Sequence, residues 1–337
     1  MIKRQLATVS NISPLQLQPS KKYQILIPVL FLMLVTNSFP AKSAGLDSLS
    51  YANKIDSLLL VCRKVSRKPD SLKIVGQQLL DIGKASRQAK GLYEGHFALG
   101  FSNQKKGTYL NAINHFDSAI TILNKDRKRL FSILFRVSYN KALAQRFQGD
   151  LKASTKTLKG LGESAKEYQN PTLLSRVYNQ LGVNERRNSK FETAISYYLK
   201  SLNIIDSLGT EREKLFVFIN LANIYGQMTN YEESNAMNRK AIKIAEANKQ
   251  GFRRPDIENN IGLNFINMKQ YDSALFYLNK ALKYYQSQGQ VPKINLAYQN
   301  VAAVMTKLGN YDSAAQLFKT TLDHFQKSKN ALRTLES

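Results

Sequence analysis

The stretch YDSALFYLNKAL (271–282) returns forty residues later as YDSAAQLFKTTL (311–322). Its apolar and small residues fall at Tyr271, Ala274, Leu275, Leu278, Ala281 and Leu282. That is the i, i+3, i+4, i+7 stripe of an amphipathic helix, not the alternation of a strand. The echo runs through the second half of the chain. Phe191, Tyr231, Tyr271 and Tyr311 keep the forty-residue spacing, as do Ala194, Ser234, Ala274 and Ala314. So do Ser201, Ala241, Ala281 and Thr321, and Leu202, Ile242, Leu282 and Leu322. Self-similarity at this period marks a solenoid, in which a unit cannot bury its own apolar face and must stack on its neighbours.

A second set lies upstream in each unit: Gly182, Ala222, Gly262 and Ala302, preceded by Leu181, Leu221, Ile261 and Val301. In the second helix the small residues Ala274 and Ala281 let a neighbouring helix approach closely. Each unit therefore reads as two helices. Pro171, Pro255 and Pro292 stand where the first helix begins, a turn whose N–H groups have no partner to lose. Asn230 and Asn310 precede the tyrosines of the second helix, where an amide oxygen is expected to cap it. Weaker copies occur at TYLNAINHFDSAI (108–120), with Gly100 upstream, and at GDLKASTKTLKGL (149–161), with Ala142 upstream. LDSLSYANKIDSLLLVCRKV (46–65) and SLKIVGQQLLDIGKA (71–85), split at Pro69, read as a divergent hairpin. The organisation expected is a signal segment over 1–44, a divergent helical hairpin over 45–90, six units over 91–328 and a tail over 329–337. The units fall at about 92–125, 127–168, 171–208, 211–248, 252–288 and 291–328.

The pattern of Gly262, Ala274, Leu278 and Ala281, repeated along the chain, resembles the tetratricopeptide repeat. There are departures: the chain has no Trp, Asp206, Glu246 and Gln286 stand where a proline is usual, and the period is forty rather than about 34. The longer unit is similar to kinesin-light-chain-like repeats. The resemblance implies an all-α, right-handed superhelical solenoid of antiparallel helix pairs. Forty-residue units in an exported chain also resemble the sensory regions of bacterial signalling proteins.

Export is read from the N-terminus. Lys21 and Lys22 precede the apolar run ILIPVLFLMLV (25–35), which fades into small residues at 41–45. The run is shorter than the ~20 residues a spanning helix needs. Cleavage after Ser43 would place Ala41 at the −3 position, whereas cleavage after Ala44 would place Lys42 there. An uncleaved signal anchor is the alternative and the one route by which this chain is expected to meet a membrane. The expected location is periplasmic or at the cell envelope. Cys62 is too far from the run for lipid attachment and, as the single cysteine, forms no internal disulfide; it reads as a buried thiol.

The formal charge is +25, of which five basic residues and no acids fall in 1–44, leaving +20 on the remainder. Such a balance favours acidic surfaces. The Lys and Arg are scattered without a run of five, and an exported chain is not expected to meet nucleic acid.

The resemblance places the first helix of each unit on the inner wall. Two residues before the small position stand Asn140, Gln180, Asn220, Asn260 and Asn300. Such a ladder of amides offers donors and acceptors together, suited to the backbone of an extended peptide. On the same face lie Arg136, Arg176, Arg187, Asn223, Gln227, Asp256, Asn267 and Lys307, and the three arginines could grip carboxylates bidentately. The competing reading is a structural rail of hydrogen bonds between stacked first helices. The tyrosines, including Tyr197–Tyr198 and Tyr284–Tyr285, read as core. His96, His115 and His324 are distant in sequence, and no nucleophile elbow, HExxH, phosphate loop or paired Cys is present. The expectation is a non-enzymatic binder of a protein or peptide, without cofactor or metal, serving as an adaptor or as the sensing part of a signalling system. Its rivals are attachment by charge to anionic polysaccharide or lipid, and a structural spacer. The last second helix carries Tyr311, Ala314, Ala315, Leu317, Phe318, Leu322 and Phe325, apolar on both faces. A terminal repeat has no neighbour to cover such a face, so a continuation of the chain, a second copy in a homodimer, or a partner is expected there.

Overall fold

The computed structural model describes residues 48–248 and 251–336, and the segment expected as a signal lies outside the described residues. Fourteen α-helices are present among them: α1 (Ser48–Val65), α2 (Pro69–Ser86), α3 (Ala89–Lys105), α4 (Tyr109–Leu123), α5 (Phe131–Gln148), α6 (Leu151–Glu167), α7 (Pro171–Arg187), α8 (Phe191–Leu208), α9 (Glu211–Gln227), α10 (Tyr231–Ala247), α11 (Arg254–Asn267), α12 (Tyr271–Ser287), α13 (Val291–Lys307) and α14 (Tyr311–Glu336). Residues 54–337 form one compact unit, and from α2 to α14 each helix lies against the next. The last helix runs to Glu336, so the segment expected as a tail continues α14. No helix among the described residues is long and apolar enough to cross a membrane.

Local chemistry sets the helix ends. Pro69, Pro171, Pro255 and Pro292 occupy first-turn positions, where the missing N–H costs nothing. The side-chain caps are not the two expected. Asn230 precedes α10 without making a cap bond, and Asn310 donates to Met305 Sδ instead. Asp150 and Asn170 do the capping, accepting from Ala153 N at 2.8 Å and Leu173 N at 3.1 Å. Between the two helices of each unit the chain passes through one left-handed residue: Gly107, and then Gly149, Ser189, Thr229, Lys269 and Gly309, these five again forty apart.

The apolar stripes close between units. Ala194, Tyr198 and Ile205 of α8 pack with Val217, Leu221 and Ile224 of α9. Two periods on in each direction, Ala112, Phe116 and Ala119 of α4 meet Leu134 and Val137 of α5, and Ala274 and Leu278 of α12 meet Val301 and Val304 of α13. Tyr198 and Tyr285 are buried, and Tyr197 and Tyr284 pack against core clusters, as their place on the stripe predicts. Within a unit, a small residue receives a large one. A Cβ on Gly182 would stand 2.5 Å from Tyr198 Cε1, on Gly100 2.6 Å from Phe116 Cε1, and on Gly262 2.7 Å from Leu278 Cγ.

The first helices touch one another most closely at α3 against α5, α7 against α9 and α11 against α13, every second junction of the stack.

Candidate functional site

The inner wall is built from α5, α7 and α9. Positions one helical turn apart on each present one stripe: Ser132, Arg136, Tyr139 and Asn140; Arg176, Asn179 and Gln180; Arg212, Glu213 and Phe216. Together with Ser201 and Ile205 of α8 they line a groove of about 720 Å³. Phe135, Tyr139, Leu173, Ile205, Phe216 and Val217 supply apolar surface, and the others supply amides, hydroxyls and charge.

Of the residues singled out from sequence, Arg136, Asn140, Arg176 and Gln180 meet in this groove. Arg136 is already paired: its Nη2 donates to Glu94 Oε1 and Oε2 at 2.7 and 2.9 Å, and its guanidinium lies 4.3 Å from the Phe97 ring centroid. Arg176 is freer, half exposed, with Glu213 only at 3.9 Å. The Asn140 amide folds back onto Arg136 O at 2.8 Å, and Gln180 accepts from Arg146 Nη1 at 2.7 Å.

The remaining ladder residues divide. Asn220 donates to Asn179 Oδ1 at 2.8 Å and Asn300 to Asn259 Oδ1 at 3.0 Å, both across adjacent first helices. At these two junctions the ladder is a structural rail. Asn260 is half-buried, and the residue forty-one before it is Ile219, which offers no acceptor. Gln227 accepts from Arg186 Nη1 at 3.1 Å. Asp256 is a clamp between repeats, accepting from Tyr285 Oη at 2.7 Å and Lys293 Nζ at 2.6 Å. Burial and that carboxylate hold the Tyr285 phenol far above its ordinary pKa. Arg187 is exposed near Phe147; Asn223 is half-buried; Asn267 and Lys307 are exposed on later repeats. These last residues do not join the groove.

Sequence reading missed the deepest polar contacts. Asn184 Nδ2 donates to Ser154 Oγ at 2.9 Å and Thr155 Oγ1 at 3.1 Å, and Asn264 Nδ2 donates to Ser234 Oγ and Asn235 Oδ1, both at 2.7 Å. The serines pass the bond on to Ala142 O and Ala222 O. Their signal is a repeat of eighty residues, which a search at forty averages away. From α6 onward the junctions thus alternate between a buried Asn–Ser bond and an Asn–Asn bond at the inner wall, while α3 and α5 are joined by Glu94 and Arg136.

The histidines need one correction. His96 and His115 are brought together on α3 and α4, with Nδ1 atoms 3.2 Å apart and ring centroids 5.5 Å apart. Burial lowers both pKa values, and each His96 charge is further opposed by His115 and Lys84. His324 stands alone, its Nδ1 donating to Asn295 Oδ1 at 2.6 Å. Among the described residues no group of three or more His, Cys, Asp and Glu is placed to hold a metal ion. Burial pushes the Cys62 thiol up to about 11, with Glu94 adding to it, which makes it unreactive at neutral pH.

Sequence profiles described as tetratricopeptide repeat match residues 173–247 and 259–288. The protein kinesin light chain-related 2 of Arabidopsis thaliana is 25% identical over 146 residues, covering 42% of this chain and 22% of its own length. The chain therefore spans about a fifth of that curated relative. Among solved structures, the apo form of RapI superposes with a TM-score of 0.62 at 13% identity, covering 83% of this chain and 99% of that one. The apo form of the quorum sensor NprR from B. thuringiensis gives 0.56 at 12%, covering 90% and 94%. At such identities these likenesses speak for the fold. The matched profiles show tetratricopeptide repeats over residues 173–247 and 259–288, and the stacked helix pairs have the fold those repeats build.

Proposed function

We propose that this chain is an exported, non-enzymatic scaffold that holds an extended segment of a protein or peptide in the groove of α5, α7 and α9. The observation that carries the reading is the convergence of three successive first helices on one open groove of about 720 Å³, lined by amides, hydroxyls and aromatic rings. Such a lining offers hydrogen bonds to a peptide backbone and shallow apolar seats for side chains. A role as the sensing part of a signalling system is supported by the shared fold with a protein described as a quorum sensor. Export is supported by the basic, apolar and small order of residues 21–45.

The test is site-specific photo-crosslinking in the host. A photoreactive residue at Ser132 or Phe216 should join a peptide or protein segment, whereas one at Lys319 on α14 should not. Equal labelling at all three sites would sink the groove. Mass spectrometry of the same material addresses export, since an intact Met1 in a soluble cytoplasmic pool would contradict it.

A second reading, attachment by charge to anionic lipid or polysaccharide, is favoured by the +20 outside residues 1–44. Binding of that kind falls steeply with salt, whereas groove hydrogen bonds persist.

A further inference from the structure

At the C-terminal ends of α5 and α7 stand Arg146, Arg186 and Arg187, none of them in an ion pair among the described residues. Arg146 is only 7% exposed. Its Nη1 donates to Gln180 Oε1 and, at 3.4 Å, to Asn184 Oδ1, while its Nε is buried without a partner. Arg186 repeats the arrangement one unit on: Nη1 donates to Gln227, and Nε is buried and unpartnered. Burial draws the Arg146 pKa down to about 10, so it is still cationic at neutral pH. Tyr198 lies beside both, but burial pushes its phenol up to about 12, so it contributes no negative charge. Neutral acceptors alone therefore face this group of cations.

A helix C-terminus attracts basic side chains, and that accounts for arginine in the last turn. It does not account for a guanidinium taken out of water with its Nε left unsatisfied, because a buried charge is normally paired or fully hydrogen-bonded. The charge is reachable: Arg187 is exposed and Arg186 partly so. Phe147, 47% exposed, holds the Arg187 guanidinium 5.9 Å and that of Arg146 5.5 Å from its ring centroid and gives the place an apolar wall. Gln180, which receives Arg146, also lines the groove.

We infer that Arg146, Arg186 and Arg187 form a carboxylate-binding site beside the groove, taking an Asp or Glu side chain of the bound peptide. This rests on the reading of the groove as a peptide site. Arg186 and Arg187 make the contact, with forks matched to a carboxylate. Arg146 acts from beneath as a positioning charge in a poorly screened setting.

The test is selection of a phage-displayed octapeptide library on the full chain. The library is fused through its C-terminus, so it presents only side-chain carboxylates. Selected peptides should share one acidic position. Changing that residue to its amide should weaken binding at least tenfold to the wild type and less than twofold to Arg146→Gln/Arg186→Gln. The same peptide as a free acid or a C-terminal amide should bind equally; a preference for the free acid would overturn the side-chain assignment. A control of matched charge, Lys283→Gln/Lys319→Gln, should behave as wild type. Arg146→Met should melt at or above the wild-type temperature, since it removes an unneutralised charge.

Binders without an acidic position would overturn the carboxylate site and leave the groove intact. Should no peptide be selected, the groove reading fails, and melting in glutarate against sodium chloride of equal ionic strength decides the site. A stabilisation by glutarate that is larger in wild type than in the double variant would support it, and equal shifts would overturn it.

Discussion

Asn184 reaches back thirty residues to donate its amide to Ser154 Oγ at 2.9 Å, in a place with no exposure to solvent. Removing one partner of such a bond leaves the other desolvated. Asn184→Ala is expected to cost about 2 kcal/mol, within the ~1–3 kcal/mol of a buried group left unsatisfied. Asn260→Ala, half-buried, should stay within about 0.5 kcal/mol. Urea unfolding of both variants checks the contrast, and similar midpoints would show that the deep bond contributes little.

Glycine should be indispensable at 182 and dispensable at 160. The methyl of Gly182→Ala meets the Tyr198 ring, and overpacking of this kind costs about 1–3 kcal/mol. Nothing lies within 4 Å of a Cβ on Gly160, which is inside α6. Gly160→Ala should therefore stabilise the chain by about 0.5–1 kcal/mol through helix propensity. Thermal unfolding of both, expected to move in opposite directions, is the measurement.

Thr229 sits at φ 60° in the turn where Gly149 and Gly309 serve other units. A β-branched residue there is strained, so Thr229→Gly should gain about 1 kcal/mol. The reverse change, Gly149→Thr, should lose a similar amount. If Thr229→Gly lost stability in urea unfolding, the turn would be held by something other than backbone conformation.

The His96–His115 pair predicts a pH dependence. Both folded pKa values lie below the ordinary value of about 6.5, so the unfolded chain takes up protons first on acidification. The stability associated with the neutral pair is complete above that value and is lost as pH falls through it towards the folded pKa values. The urea midpoint should therefore drop between about pH 7.5 and 5.5, and His96→Gln/His115→Gln should flatten that drop. Parallel curves for the two proteins would exclude the pair as the cause.

The C-terminal end presents Tyr311, Phe318 and Leu322 at 68, 46 and 55% exposure, while the Phe325 side chain lies outside the described residues. A second copy joined end to end would cover this face. Light scattering on residues 45–337 should give twice the monomer mass, reverting to monomer with Phe318→Lys. A monomer at high concentration in both proteins would show that no self-association occurs there.

The period, the two-helix unit and the small positions were legible because each depends on a repeated local stripe. Gly262, Ala274, Leu278 and Ala281 declare their burial by spacing alone. The site was legible only in part, because its pairings cross between units. Nothing near Arg136 in sequence announces Glu94, forty-two residues earlier. Arg146 reads as an ordinary helix-end cation until the stack encloses it. Asn230 and Asn310 stand at the right places for caps, yet Asn230 makes no cap bond and Asn310 bonds to Met305 Sδ, and a cap worth only ~1 kcal/mol is easily forgone.

The alternation of junctions sets how this stack can change in length. Deleting the forty residues of α9 and α10 would bring Asn264 against Ala194, where it finds no hydroxyl, and bury an amide without an acceptor. Deleting eighty, α7 to α10, would bring the same Asn264 against Ser154 and restore the bond. Gains and losses of single units at this place are therefore penalised where gains and losses of two are not, so the array should tolerate changes of length in pairs of repeats.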